Sequence, residues 1–208
     1  MFTMLADVPR QIHQKKAYRL INWAKLTPDL IFTKMALQPF RFKQFTVAHD
    51  RSTHKVGTDG VLLGSWVNVK ETDNYLLDIG TGSGLIALML AQRTGSTVHI
   101  DALEINADDA NQARENVARS PWPERISVHV TAAQHFKSEN RYDVIVSNPP
   151  YFRKSLRPPD EKRTIARHTL DLSFEDLLFT VTRLLSSGGR FGVVLPYSEA
   201  MHFITLAE

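Results

Sequence analysis

The chain contains no cysteine, which excludes a disulfide framework, a thiolate metal site and a cysteine nucleophile. It also lacks any apolar run near the ~20 residues a membrane-spanning helix needs. The most apolar stretch, Leu85 to Ala91, is short and follows glycines, as a buried helix does. The opening residues, MFTMLADVPRQIHQKK, carry Asp7 and have no apolar centre ahead of a small-residue cleavage site, so they do not read as a secretory signal. The eight histidines fall at no ligand spacing such as H-x-x-x-H, no Ser-His-Asp arrangement is readable, and no metal is assigned. These absences fit a cytoplasmic protein.

What is present is 208 residues with 43% hydrophobic composition, enough for one domain with a full core. The formal charge of +3 is unevenly spread. Residues 1–34 hold six lysines and arginines against two aspartates, hence +4, which leaves −1 for the remainder. The basic balance of the whole chain is therefore weak evidence for a nucleic-acid partner. Residues 1–38 read as an N-terminal extension with one helix at about Ile12 to Lys25, and residues 39–208 as the main domain. Met35 offers an alternative start, so a non-native upstream segment over 1–34 is a hypothesis that an N-terminal peptide seen by mass spectrometry would decide.

From residue 57 onward short apolar strands alternate with helices. Asp59 is expected to cap a helix reaching Val67. Strands are expected at 75–79, 97–103, 126–130, 143–147 and 190–195, and helices at 84–93, 106–119 and 173–186, the last closed by a Gly188-Gly189 C-cap. This alternation predicts an α/β, Rossmann-like fold: a mostly parallel sheet with helices on both faces.

The first strand runs into Asp78-Ile79-Gly80-Thr81-Gly82-Ser83-Gly84 and then a helix. Glycines permit a sharp turn and close approach of a ligand to the backbone, and the helix start offers unpaired N–H groups. Glu104 ends the second strand about 20 residues later, where a carboxylate accepts the two hydroxyls of a ribose. Relative to G-x-G-x-x-G, the third glycine comes one residue early and Leu85 takes its place. Asp78 would repel a pyrophosphate and suits a cationic amino-acid head. Gly80, Gly82, Gly84, Asp78 and Glu104 therefore favour S-adenosylmethionine over a dinucleotide. The competing reading is an ordinary tight strand–helix turn.

The fourth strand reads Val144-Ile145-Val146-Ser147 and meets Asn148-Pro149-Pro150-Tyr151. It should end beside the first strand, where strand order reverses and ligands bind. The Asn148 side-chain oxygen and the Pro149 carbonyl are adjacent acceptors, and proline fixes them in advance. Two such acceptors suit a planar amino group, each taking one hydrogen, and Tyr151 can stack on the ring that bears it. The motif reads as a holder for an amine undergoing methylation, catalysed chiefly by positioning. Its bland alternative is a Pro-Pro turn with Asn148 as turn former.

These residues resemble class I S-adenosylmethionine-dependent methyltransferases of the amino-methylating N/D-P-P-Y/F/W group. The stretches Phe40-Arg41-Phe42-Lys43-Gln44-Phe45, His49-Asp50-Arg51, Lys55 to Gly64, Ser120-Pro121-Trp122 and Ala166-Arg167-His168-Thr169 narrow this. They resemble the bacterial valine-tRNA adenine-N6 methyltransferase family over roughly residues 40–198. The resemblance implies methylation of the adenosine 3′ of the anticodon in a valine tRNA. It also implies a place near the methionine end of the cofactor for Lys55, Thr58 and Asp59. On physical grounds alone Lys55 is equally a solvated lysine and Asp59 a helix cap.

Two departures stand out. Thr131-Ala132-Ala133 occupies the place where related enzymes carry an acid that binds the adenine amine, which would cost about 1–2 kcal/mol for one lost hydrogen bond unless Gln134 or a backbone group substitutes. The sequence also stops at Glu208, without the C-terminal strand pair such folds add, so a truncated domain with an exposed apolar edge at 190–195 is expected. The loop Tyr151 to His168 gathers Arg153, Lys154, Arg157, Lys162, Arg163 and Arg167 against Asp160 and Glu161. With Phe152, it is read as a grip on RNA phosphates around a flipped base. An rRNA base methyltransferase, a protein glutamine-N5 methyltransferase and an inactive cofactor-binding RNA module remain as alternatives. The oligomeric state is not legible.

Overall fold

The five strand segments anticipated above lie side by side in one parallel sheet. The chain divides into two units, Met1–Ala36 and Leu37–Glu208. The computed structural model describes residues 38–149 and 172–208, and everything below concerns those. The expected helix at 12–25 lies outside them.

A small antiparallel ribbon comes first, β1 (Phe40–Arg41) and β2 (Thr46–Val47). Then follow α1 (Thr58–Trp66), β3 (Tyr75–Ile79), α2 (Leu85–Arg93), β4 (His99–Glu104), α3 (Ala107–Ala118), β5 (Ile126–Val130), β6 (Tyr142–Ser147), α4 (Phe174–Leu184), β7 (Leu185–Val193) and α5 (Tyr197–Ala207). The sheet order is β5-β4-β3-β6-β7, every pair parallel. The chain thus builds outward from β3 to β5, then returns to lay β6 on the other side of β3. That reversal opens a crevice at the carboxyl ends of β3 and β6, where ligands bind in such sheets.

Each strand of the central three is buried on both faces, which is why they read as continuous apolar runs rather than alternating ones. One face packs Leu76, Ile100, Val144 and Val146 under α1 and α2. The other packs Leu77, Ile79, Leu103 and Ile145 under α4 and α5. Beneath that second face, Tyr142 donates to Asp101 at 2.6 Å and His129 lies 2.6 Å from the other Asp101 oxygen. This network joins β4, β5 and β6. Two helices start as their sequences predict: Asn106 accepts from the N–H groups of Asp108 and Asp109 at the head of α3, and Ser173 accepts from Asp176 at the head of α4.

Two expectations need correction, and one helix was not anticipated. Asp59 is not the cap of α1; Gly57, in extended conformation, holds that position, and Asp59 lies in the first turn, where its charge suits the helix dipole. Gly188-Gly189 does not cap a helix. α4 ends at Leu184, because Leu185 is already extended and pairs with Tyr142. Between Tyr142 and Val144 of β6, β7 advances from Leu185 to Arg190, and Gly188, at φ 80°, absorbs this bulge in the left-handed region that glycine tolerates. Finally, α5 follows β7, unanticipated from the sequence; Phe203 is its buried anchor, edge-on to Phe174 with ring centroids 5.2 Å apart. Among the described residues β7 pairs with β6 alone, so it forms a sheet edge. None of the described helices is long and apolar enough to cross a membrane.

Candidate active site

A cavity of about 460 Å³ opens at the carboxyl ends of the strands. The glycine turn after β3, Glu104 at the end of β4, the segment Thr131 to Gln134 after β5, and Asn148-Pro149 after β6 form its walls, with residues 53–57 closing one side. Elements far apart in sequence meet there because parallel strands all deliver their carboxyl ends to the same edge.

The turn itself is fixed by backbone bonds. Gly80 and Thr81 both donate to the Leu103 carbonyl at 2.9 Å. Gly80 and Gly82 have positive φ, and a Cβ on either would meet nothing within 4 Å. Here glycine serves conformation, and the space above it is open to a ligand. Gly84, also at positive φ, is the N-cap of α2 and faces α3, where an added Cβ would lie 3.4 Å from Ala113 Cβ. It lies off the cavity wall, as does exposed Thr58.

Glu104 is buried, and each of its carboxylate oxygens accepts one backbone N–H, from Gly82 and from Asn106, both at 2.9 Å. Each oxygen keeps a further lone pair, enough to receive a diol. Asp78 sits beneath the turn, not on the cavity wall. Its Oδ2 accepts from the Thr81 hydroxyl at 2.6 Å and from the Ala87 N–H at 3.2 Å, so it caps α2 from outside the helix. Its Oδ1 is buried and finds no partner among the described residues. Burial pushes the Asp78 carboxyl up to about 6, against the opposing bonds from Thr81 and Ala87, with the Glu104 charge adding to the rise.

Lys55 lines the cavity, but its ammonium is committed elsewhere. It donates to the carbonyls of His49 at 2.7 Å, Ser52 at 3.0 Å and Asp50 at 3.3 Å. Lysine here ties a loop to itself, and the His49 ring accepts the Val56 N–H at 2.9 Å within the same loop. Ala132 and Ala133 line the far wall beside Gln134, whose amide nitrogen donates to Asp176 at 3.2 Å.

Asn148 stands at the mouth, half-buried, without a side-chain partner among the described residues. Its position is set by Ser147, whose buried hydroxyl donates to the Ile79 carbonyl at 2.9 Å. α1 comes close at Gly60: a Cβ there would lie 3.0 Å from Leu85 Cδ2 and 3.6 Å from Asn148 Nδ2. Pro149 is buried beside it. Pro150, Tyr151, Phe152, Arg153, Lys154 and Arg167 lie outside the described residues.

Residues 52–202 match the methyltransferase small domain. The chain is 52% identical over 168 residues to the tRNA1(Val) (adenine(37)-N6)-methyltransferase of Phocaeicola vulgatus, covering 81% of this chain and 70% of that one. It is 51% identical over 172 residues to the protein of the same name in Trichodesmium erythraeum, covering 81% and 72% respectively. The chain belongs to this family of methyltransferases. S-adenosylmethionine is its cofactor, and the buried carboxylate of Glu104 and the open glycine turn on the cavity wall are compatible with a nucleoside of that kind. Solved structures agree on the fold. An S-adenosylmethionine-dependent O-methyltransferase from Thermotoga maritima superposes with a TM-score of 0.54 at 22% identity, over 74% of this chain and 50% of that one. A precorrin-6y C5,15-methyltransferase from Geobacter metallireducens does so with 0.52 at 15% identity, over 71% and 67%.

Three parts of the cavity wall were not anticipated from the sequence. The first is the wall segment at Thr53 and His54. The second is Leu172, which lines the cavity from the start of the α4 segment. The third is Asp109 on α3. None carries a local motif; only the folded arrangement brings them to the cavity.

Proposed function

We propose that the chain methylates the exocyclic N6 of adenosine 37 in tRNA1(Val), using S-adenosylmethionine, in the cytoplasm. The observation that carries this reading is the placement of Asn148. Its carboxamide, without a partner among the described residues, follows β6 at the switch point, on the same cavity as the glycine turn and Glu104. The relatives' names supply the nucleoside and the RNA.

When bound, S-adenosylmethionine supplies a sulfonium methyl group electrophilic enough for an unactivated amine. Glu104 would receive the ribose hydroxyls, and Gly80 and Gly82 leave room for the chain that carries the sulfur. Asn148 Oδ1 and the Pro149 carbonyl would each accept one N–H of the adenine amine, directing its lone pair into the cavity and favouring the tetrahedral nitrogen of the transition state. No strong base is needed, because a methylated amine nitrogen is acidic until it loses its proton. Tyr151 and Phe152 are proposed to stack on the flipped base, with Arg153, Lys154 and Arg167 on phosphates. In this reading residues 39–208 form the catalytic domain.

The test is incubation of the chain with labelled S-adenosylmethionine and unmodified valine tRNA, beside Asn148→Ala, followed by nuclease digestion and mass spectrometry. N6-methyladenosine at position 37, lost in the variant, supports the assignment. Label on another nucleoside, or no transfer by a chain that binds the cofactor, overturns it.

A further inference from the structure

The inward side of α3 is polar, although it is buried. Asp109, Gln112 and Asn116 are all nearly inaccessible, and their spacing puts them on one helix face. Each holds the backbone of a loop that precedes them by more than 50 residues. Thr53 N–H donates to Asp109 at 2.7 Å, Arg51 N–H to Gln112 at 3.4 Å, and Ala48 N–H to Asn116 Oδ1 at 2.9 Å. This loop continues directly into the cavity wall at 53–57.

Asn116 does something the other two do not. Its Nδ2 donates to the Ala48 carbonyl and to the Ser83 carbonyl, both at 2.8 Å. With Oδ1 on Ala48 N–H, both amide protons and the oxygen are used inside the protein. The Ser83 carbonyl belongs to the last peptide of the glycine turn, and the N–H of that same peptide, on Gly84, donates to the Thr81 carbonyl at 2.9 Å. The Ser83–Gly84 peptide is therefore held at both ends, and its rotation would break the bond to Asn116. One carboxamide thus joins the loop leading into one wall of the cavity to the turn that forms another.

We propose that Asn116 is a positioning residue for the cofactor: it fixes the Ser83–Gly84 peptide plane and, through Ala48, anchors the loop that leads into the 53–57 wall. The proposal rests on assigning the cavity to S-adenosylmethionine. Asn116 does not line the cavity; it acts through the peptide planes of the turn, so its loss is felt in cofactor affinity and not in the chemistry of the amine.

The test compares the full chain with Asn116→Leu, Asn116→Asp and Gln112→Leu. Asp keeps the acceptor for Ala48 N–H and removes both donors, so it carries the comparison even where the leucine variant does not fold. Gln112→Leu loosens the same loop without touching the turn. S-adenosylhomocysteine affinity is measured by calorimetry below the melting temperature, with cofactor KM, kcat and amide exchange in the 80–84 segment. The expected result for the Asn116 variants is about a tenfold to hundredfold weaker affinity, since aspartate loses two buried hydrogen bonds and leucine three. Cofactor KM should rise in step, kcat at saturation should change little, and exchange at the turn should quicken. Gln112→Leu should lower the melting temperature with affinity within about twofold. Folded Asn116 variants with unchanged affinity overturn the proposal, as does an equal loss in Gln112→Leu, which would make the effect one of general stability. A wild-type chain that binds no S-adenosylhomocysteine overturns the cofactor assignment itself.

Discussion

The Ser147 hydroxyl, wholly buried, donates to the Ile79 carbonyl at 2.9 Å across the middle of the sheet. The two residues are also register partners of β6 and β3. One is followed by the Asn148 motif and the other by the glycine turn, so this bond reinforces the β3–β6 register that sets the level of Asn148 against that of the turn. Ser147→Ala leaves a buried carbonyl without its side-chain donor, at a cost of about 1–3 kcal/mol. Steady-state kinetics should show kcat falling about tenfold, because a small displacement at the reacting centre is costly, with cofactor KM nearly unchanged. A variant that loses stability but keeps kcat would separate Ser147 from positioning.

Glu104→Gln should weaken S-adenosylhomocysteine binding by about tenfold to hundredfold, since hydrogen bonds to a charged group are worth about 1.5–3 kcal/mol. The amide nitrogen of glutamine would also face one of the two backbone N–H groups, Gly82 or Asn106, that Glu104 now receives. Calorimetric titration checks this; undiminished affinity would remove Glu104 from the ribose site.

Asp78 makes a pH-dependent prediction for the cofactor-free protein. Its folded-state value of about 6 lies above the ordinary 3.8 because burial disfavours the charged form. The folded chain therefore keeps a proton here that the unfolded chain has released. Stability from this group is fully present below its unfolded value and is lost as pH rises through about 6. Asp101 runs the other way: burial raises its value, but the bonds from His129 and Tyr142 outweigh that and hold it low. The comparison must therefore be with Asp78→Asn at each pH. The stability of wild type relative to the variant should decline between pH of about 4 and 7 in paired thermal melts, and a difference independent of pH would contradict the assignment.

Gly64→Ala tests the close approach of α1 to α2. The new Cβ would sit 2.7 Å from Met89 Sδ and 3.0 Å from Met89 Cβ, and the latter cannot swing away. A helix shift costing about 1–3 kcal/mol is expected, read as a lower urea midpoint with unchanged slope.

The parts of this site that were legible in the sequence are those encoded by neighbours along the chain. Gly80 and Gly82 follow β3, and Glu104 ends β4, strands whose apolar runs give their position, and Asn148 follows β6 in the same way. Gly84 was recognised as part of the turn, but its closeness to Ala113 was not. Lys55 looked like a ligand or a solvated cation because sequence does not reveal three carbonyls folded back around one ammonium. Asn116 gave no signal at all: an asparagine in a charged-looking helix reads as surface, and its partners Ala48 and Ser83 are 68 and 33 positions away. Gly188-Gly189 misled for a related reason. A glycine pair after a helix signals a cap unless a neighbouring strand, here β6, draws the chain into the sheet first.

The strand order has a consequence for how the protein comes into being. β4 and β5 add to β3 as each is synthesised, through short connections. β6 must instead return across a span of 68 residues, the separation of Ile79 and Ser147, and closing a loop of that length costs about 4 kcal/mol of chain entropy before its contacts repay it. The glycine turn and Glu104 are therefore translated before Asn148 exists. A nascent chain paused after β5 holds its glycine turn and Glu104 but not yet Asn148 or the residues of α4 and α5 that cover Leu77, Ile79 and Leu103.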